Sequence, residues 1–190
     1  MFREMTFTDV NRAAVDAQAD FVMDEDTFRA FYDRNARGVW AYLARVSGDR
    51  QTADDLLQET FYRFLRAAAD HDSEEHRRNS LYRIATNLAR DARRRTLTRP
   101  HADVAGHDIE TIANRSDGDE TSADFERAMS RLKPRERAML WLAYAEGASH
   151  REIAQVMGLR PASLKLLLFR ARRRLATLLG RSETRNAAAR

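Results

Sequence analysis

The 190 residues are 43% hydrophobic and 33% charged, with seven Gly, three Pro and no Cys. That balance favours helices over a strand-and-turn architecture, and the lack of Cys excludes disulfides and thiolate metal sites. The formal net charge of +4 is modest, so where the charges sit says more than their sum.

Residues 1–24 form an N-terminal extension that mixes Arg, Glu and Asp among its apolar positions. It lacks an apolar run of signal-peptide length, and no later stretch is long and apolar enough to span a bilayer. A cytoplasmic protein without membrane insertion is expected.

A first domain is expected over 25–95. Its first helix starts near Asp26 or Thr27 and carries Phe28, Phe31, Tyr32, Val39, Trp40, Leu43 and Val46 at helical spacing. Ser47-Gly48-Asp49 stops it. Thr52 and Asp55 have the spacing of a capping box, opening a helix that buries Leu56, Leu57, Phe61, Phe64 and Leu65. His71 to Asn79 is polar and reads as a loop. Ser80 then caps a third helix with Leu81, Ile84, Ala85 and Leu88 turned inward.

Residues 96–120 lack apolar periodicity, contain Pro100, Gly106 and Gly118, and are acidic. They read as a flexible linker. A second domain is expected over 121–180, beginning with a helix whose apolar residues are Phe125, Ala128, Met129 and Leu132. Pro134 suits the first turn of the next helix, 135–145, and Gly147 breaks it. Helices over 150–157 and 161–179 follow, with 181–190 a frayed tail. The fold class is therefore all-α, with two small helical domains joined by a flexible linker and a helix-turn-helix in the C-terminal one.

Two basic blocks flank the acidic linker. One contains Arg83, Arg90, Arg93, Arg94, Arg95 and Arg99 against a single acid, and the other contains Arg160, Lys165, Arg170, Arg172, Arg173 and Arg174 with none. Either could be a solvated helix face or a polyanion surface. The segment 150–165 favours DNA for the second block. Ile153, Met157 and Leu164 point to one core, Ala154 is small where helices must approach, and Gly158 sits at the turn. A helix opening at Pro161 and Ser163 and running into Arg170–Arg174 would present a recognition helix to the major groove, with a basic flank along the phosphates.

Four motifs now stand in order: Asp54-Asp-Leu-Leu-Gln-Glu-Thr-Phe61, Leu81-Tyr-Arg-Ile-Ala-Thr-Asn87, Leu132-Lys-Pro-Arg-Glu-Arg137, and Glu152-Ile-Ala with Phe169-Arg-Ala-Arg172. Together they resemble the extracytoplasmic-function class of RNA polymerase sigma factors, which keeps only sigma regions two and four. The resemblance covers about 27–95 and 120–178. It implies core RNA polymerase as partner, with Asp55, Gln58, Glu59 and Leu65 docking on the β′ coiled coil and further contacts to β. An acidic helix face would complement a basic partner helix. It implies that Asn79, Tyr82, Arg83, Asn87 and Arg90 read a melted minus-ten strand through an extruded base and backbone contacts. It also implies minus-thirty-five contacts by Lys165, Phe169 and Arg170, supported by Ser163, Arg172 and Arg173, and an anti-sigma factor that covers these surfaces.

The sequence departs from the family pattern at two places. Ser80 stands where the family usually has Trp, and Leu166-Leu167 stands where Ser-Arg is common. The second departure predicts a different promoter sequence, more reliance on DNA shape, or an apolar patch that docks a protein.

The sequence shows no metal-ligand spacing among its five His, no Gly-rich phosphate loop and no nucleophile elbow. No cofactor, metal or catalytic residue is expected, and the protein is not read as an enzyme. The alternative to a sigma factor is a stand-alone helix-turn-helix regulator that does not act through core polymerase.

Overall fold

The computed structural model describes residues 23–67, 73–98 and 120–188. These form seven helices, and no strand occurs among the described residues. The first three are α1 (Glu25–Ser47), α2 (Arg50–Arg66) and α3 (Glu74–Thr98). The last four are α4 (Glu120–Ser130), α5 (Pro134–Tyr144), α6 (His150–Met157) and α7 (Pro161–Ala188).

Asp24 caps α1 by accepting from the Thr27 N–H at 2.9 Å, satisfying one of the donors that a helix start leaves open. Gly48 closes α1 at φ +81°, its N–H bonding back to Ala44 O. Non-glycine residues rarely hold that backbone. The cap of α2 is Asp49 rather than Thr52. Asp49 Oδ2 accepts from the Thr52 N–H at 2.7 Å, so the helix begins one turn earlier than the Thr52–Asp55 pairing predicts. The expected loop 71–79 is largely helical as well. Ser73 Oγ accepts from the His76 N–H at 3.2 Å, α3 starts at Glu74, and Ser80 lies inside the helix rather than at its cap.

Helices α1, α2 and α3 enclose an aromatic core. Phe31 stacks on Phe64 with centroids 5.0 Å apart, Tyr32 lies 4.7 Å from Phe61, and Phe28 meets Phe61 edge-on at 6.1 Å. Offset and edge-on pairings of this kind contribute about 0.5–1.5 kcal/mol each beyond their burial. Leu65 is part of this core, only 8% exposed. Expected among the docking residues, it supports α2 from within.

In the C-terminal unit, Ala128, Met129, Leu132, Ala138, Met139, Leu140 and Leu142 are buried, while Phe125 is 40% exposed and stands outside the packed face. Pro134 occupies the first turn of α5, where its missing N–H costs nothing. Ser149 and Glu152 form a reciprocal capping box at the start of α6. Gly158, at φ +65°, turns the chain from α6 into α7. Helix α7 continues past the expected end at 179 to Ala188. The expected linker and its acids from 99 to 119 lie outside the described residues, as does the extension before Met23.

The two units pack on each other, α5 against α1 and α6 against α3. Their buried side chains form one continuous cluster from Phe28 to Ala171.

Candidate nucleic-acid interface

Helix α7, the expected recognition helix, is positioned by its buried side. Leu164, Leu168 and Ala171 recur at i, i+4 and i+7 and are at most 4% exposed, which fixes the rotation of α7 against Ile153, Ala154 and Met157 of α6. Ser163, Lys165, Phe169, Arg170, Arg172 and Arg173 are thereby turned to solvent. Phe169 and Leu166 are each 51% exposed. Leu167 differs: it is half-buried and packs on the core. Of the two leucines that replace polar residues, only Leu166 stands on the open face. Arg172 Nη1 donates to Tyr144 Oη at 3.1 Å, which steadies one end of the basic row.

On α3 the expected strand-reading residues divide into three groups. Arg83 and Asn87 are exposed one turn apart. Tyr82 is 3% exposed and packs edge-on against Tyr42 with centroids 5.4 Å apart, so it belongs to the core. Asn79 and Arg90 face the C-terminal unit. Asn79 Nδ2 donates to Glu152 Oε1 at 3.0 Å, and Arg90 Nη2 donates to Met157 O at 3.4 Å.

The acidic stripe on α2 is open in part. Asp55 and Gln58 are exposed, and Glu59 is held by Arg63 at 2.6 Å. Asp54 accepts from Trp40 Nε1 at 2.6 Å and faces α1 instead.

Between the units lies a polar seam that the sequence reading did not identify. Arg45 pairs with Glu126 and sits 4.9 Å from the Trp141 ring centroid. Arg78 Nη2 donates to Glu146 O at 2.7 Å, and the Glu146 carboxylate accepts from Trp141 Nε1 at 3.1 Å. Gly38 lets this cluster close: a Cβ there would stand 3.1 Å from Tyr82 Oη and 3.4 Å from Glu146 Oε1. The Ser149–Glu152 spacing was a readable sign that Glu152 caps a helix. Nothing in sequence periodicity marks it as the partner of Asn79.

The seam shifts several ionisation equilibria. Burial pushes the Tyr82 phenol far above its ordinary range, and the neighbouring Glu146 carboxylate adds to the effect. Burial also raises Tyr42 to about 12, although its bond with Thr86 opposes the shift. Burial alone would raise Glu152, but hydrogen bonds from Ser149 and Asn79 outweigh it and hold the carboxyl below its usual value. Arg137 is lowered by burial and then by the nearby charge of Arg93. Among the described residues, no group of His, Asp or Glu has the arrangement of a metal site, and no helix is long and apolar enough to cross a membrane.

Residues 31–98 match the family described as Sigma-70 region 2, and residues 122–175 match that described as Sigma-70, region 4. The chain is 30% identical over 164 residues to the RNA polymerase sigma factor CarQ of Myxococcus xanthus, spanning 84% of this chain and 92% of that one. It is 31% identical over 157 residues to the ECF RNA polymerase sigma factor SigL of Mycobacterium tuberculosis, spanning 80% and 88%. In fold it is similar to the sigma factor RpoE of Bartonella quintana, solved in complex with the anti-sigma factor NepR. That likeness has a TM-score of 0.59 at 22% identity, over 80% of this chain and 96% of that chain.

Proposed function

The chain belongs to the sigma-70 family, in its extracytoplasmic-function class, and we propose that its two helical units divide polymerase docking and promoter reading between named exposed residues. As an alternative sigma factor it binds core RNA polymerase and promoter DNA and directs promoter-specific transcription initiation.

In this reading Asp55, Gln58 and Glu59 meet the β′ coiled coil. Their support is an acidic, solvent-facing stripe whose rigid backing is the Phe31–Phe64 core. Arg83 and Asn87 meet the melted minus-ten strand, joined by Asn79 and Arg90 once α6 leaves α3. Lys165, Phe169 and Arg170 meet the minus-thirty-five duplex, with Ser163, Arg172 and Arg173 beside them. The observation that carries the reading is the unbroken exposed row on α7, four cations and a phenylalanine opposite the buried Leu164–Leu168–Ala171 side.

The protein works without chemistry of its own, in the cytoplasm, and an anti-sigma factor covers these surfaces until a signal removes it. Run-off transcription with core polymerase on a promoter library tests the whole reading. Promoter-dependent transcripts are expected. Tight duplex binding without polymerase binding would instead mark a stand-alone regulator.

A further inference from the structure

The seam between the units contains a cavity of about 330 Å³, at the lower end of the range for small-molecule sites. Its floor is apolar, built from Val46 and Ala89 on one unit and Ala138, Met157 and Leu159 on the other. Arg90 and Arg93 of α3 line it from one side and Arg135 of α5 from the other, and among the described residues no acid lines it.

Among the described residues no ion pair involves Arg90, Arg93, Arg135 or Arg137. The nearest acids in sequence are already engaged, Asp91 with Arg94, and Glu136 with the Lys133 N–H and Arg174. Arg137 is 8% exposed, its Nε has no hydrogen-bond partner, and it is close enough to Arg93 to feel its charge. The first turn of α5, at Pro134 and Arg135, adds the positive end of a helix dipole. The three arginines that line the cavity, with Arg137 near Arg93, repel one another until a multivalent anion sits among them.

We propose that this cavity binds a small organic anion with two or more phosphate groups and a compact apolar body, such as a nucleoside diphosphate. The phosphates would bridge Arg90 and Arg93 to Arg135, and the body would lie on Val46, Ala138 and Met157. A ligand that touches both units holds them together, so its binding opposes the opening that frees Asn79 and Arg90. The inference rests on the packed seam and not on the promoter reading.

Calorimetry on the full chain tests it with ADP, AMP, pyrophosphate and citrate as probes. One ADP per chain is expected, at least tenfold tighter than AMP (too few phosphates) and at least fivefold tighter than pyrophosphate (no body). Citrate binding as tight as ADP would assign the site to polycarboxylates and overturn the phosphate assignment. Arg135→Ala should weaken ADP at least fivefold, whereas Arg29→Ala, an exposed change of equal charge on α1, should leave it unchanged. Equal weakening by both variants, or no saturable ADP binding, overturns the proposal.

The chain has no Cys, so dyes placed through Ala30→Cys and Ala176→Cys report the separation of the units. ADP should narrow that distance distribution, and a broadening would overturn the bridging role. Intact run-off transcription without ADP binding would refute the cavity assignment alone and leave the sigma-factor reading standing.

Discussion

Asn79 on α3 donates to Glu152 on α6 at 3.0 Å, joining residues 73 positions apart in the chain. The acceptor is also the glutamate that completes the capping box of α6. A residue proposed to read the melted strand is thus tied to the first turn of the DNA-binding hairpin. Asn79→Asp would set a second carboxylate against Glu152 and repel it. The expected result is a larger radius of gyration in small-angle scattering with helix content unchanged. Arg83→Ala, on the open side of α3, should not alter that radius.

The Arg45–Glu126 pair joins the units at their other end, with both side chains less than a fifth exposed. Arg45 also lies over Trp141, where a cation gains attraction from the ring face. Replacing Arg45 by Met would leave the largely enclosed Glu126 without its counter-charge. Allowing for the remaining solvent contact, urea unfolding should show a loss of about 1–3 kcal/mol. Combining it with Glu126→Gln should recover part of that loss.

Tyr42 and Thr86 share a buried hydrogen bond of 2.7 Å. Thr86 Oγ1 donates to Tyr82 O at 2.7 Å, so the Tyr42 hydroxyl is the donor in the shared bond. Because burial raises Tyr42 to about 12 from its ordinary 10.0, its contribution is fully present below pH 10 and is lost as pH climbs toward 12. Tyr42→Phe should cost about 1 kcal/mol at neutral pH. Its stability should also fall less steeply than that of the parent chain between pH 10 and 12, measured by urea unfolding across that window.

On α7, Arg170 is exposed and leans on no described partner, so its removal should not affect folding. Arg170→Ala should weaken minus-thirty-five duplex binding and reduce the salt slope by about 0.9, the release expected for one phosphate contact. Fluorescence anisotropy at several salt concentrations reads both quantities. An unchanged slope would show that Arg170 does not touch phosphate.

The sequence made the apolar faces readable because a helix announces its buried side by spacing. Phe28, Phe31 and Leu43 on α1, and Leu164 and Leu168 on α7, all fall inside as that spacing requires. Spacing did less well where polar residues carry the packing. The start of α3 reads as a loop because Glu74 to Asn79 contains no apolar residue, yet Arg78 and Asn79 hold it against the other unit. Motif position assigns Leu65 and Tyr82 to outward contacts, whereas both side chains pack in the core. The seam itself was not legible: Arg45 and Glu126 lie 81 positions apart, and charge alone does not select a partner at that distance.

At Gly38 the requirements of a helix and of a seam pull in opposite directions. Alanine there would favour α1 by about 1 kcal/mol, yet its methyl group would press on Tyr82 Oη and Glu146 Oε1 from two sides. Gly38→Ala should therefore make the molecule easier to unclasp, while the helix gain in the N-terminal unit is offset by the press on Tyr82 in that unit's own core. One hydrogen-to-methyl exchange would adjust the readiness of the protein to act without altering any atom that meets promoter or polymerase.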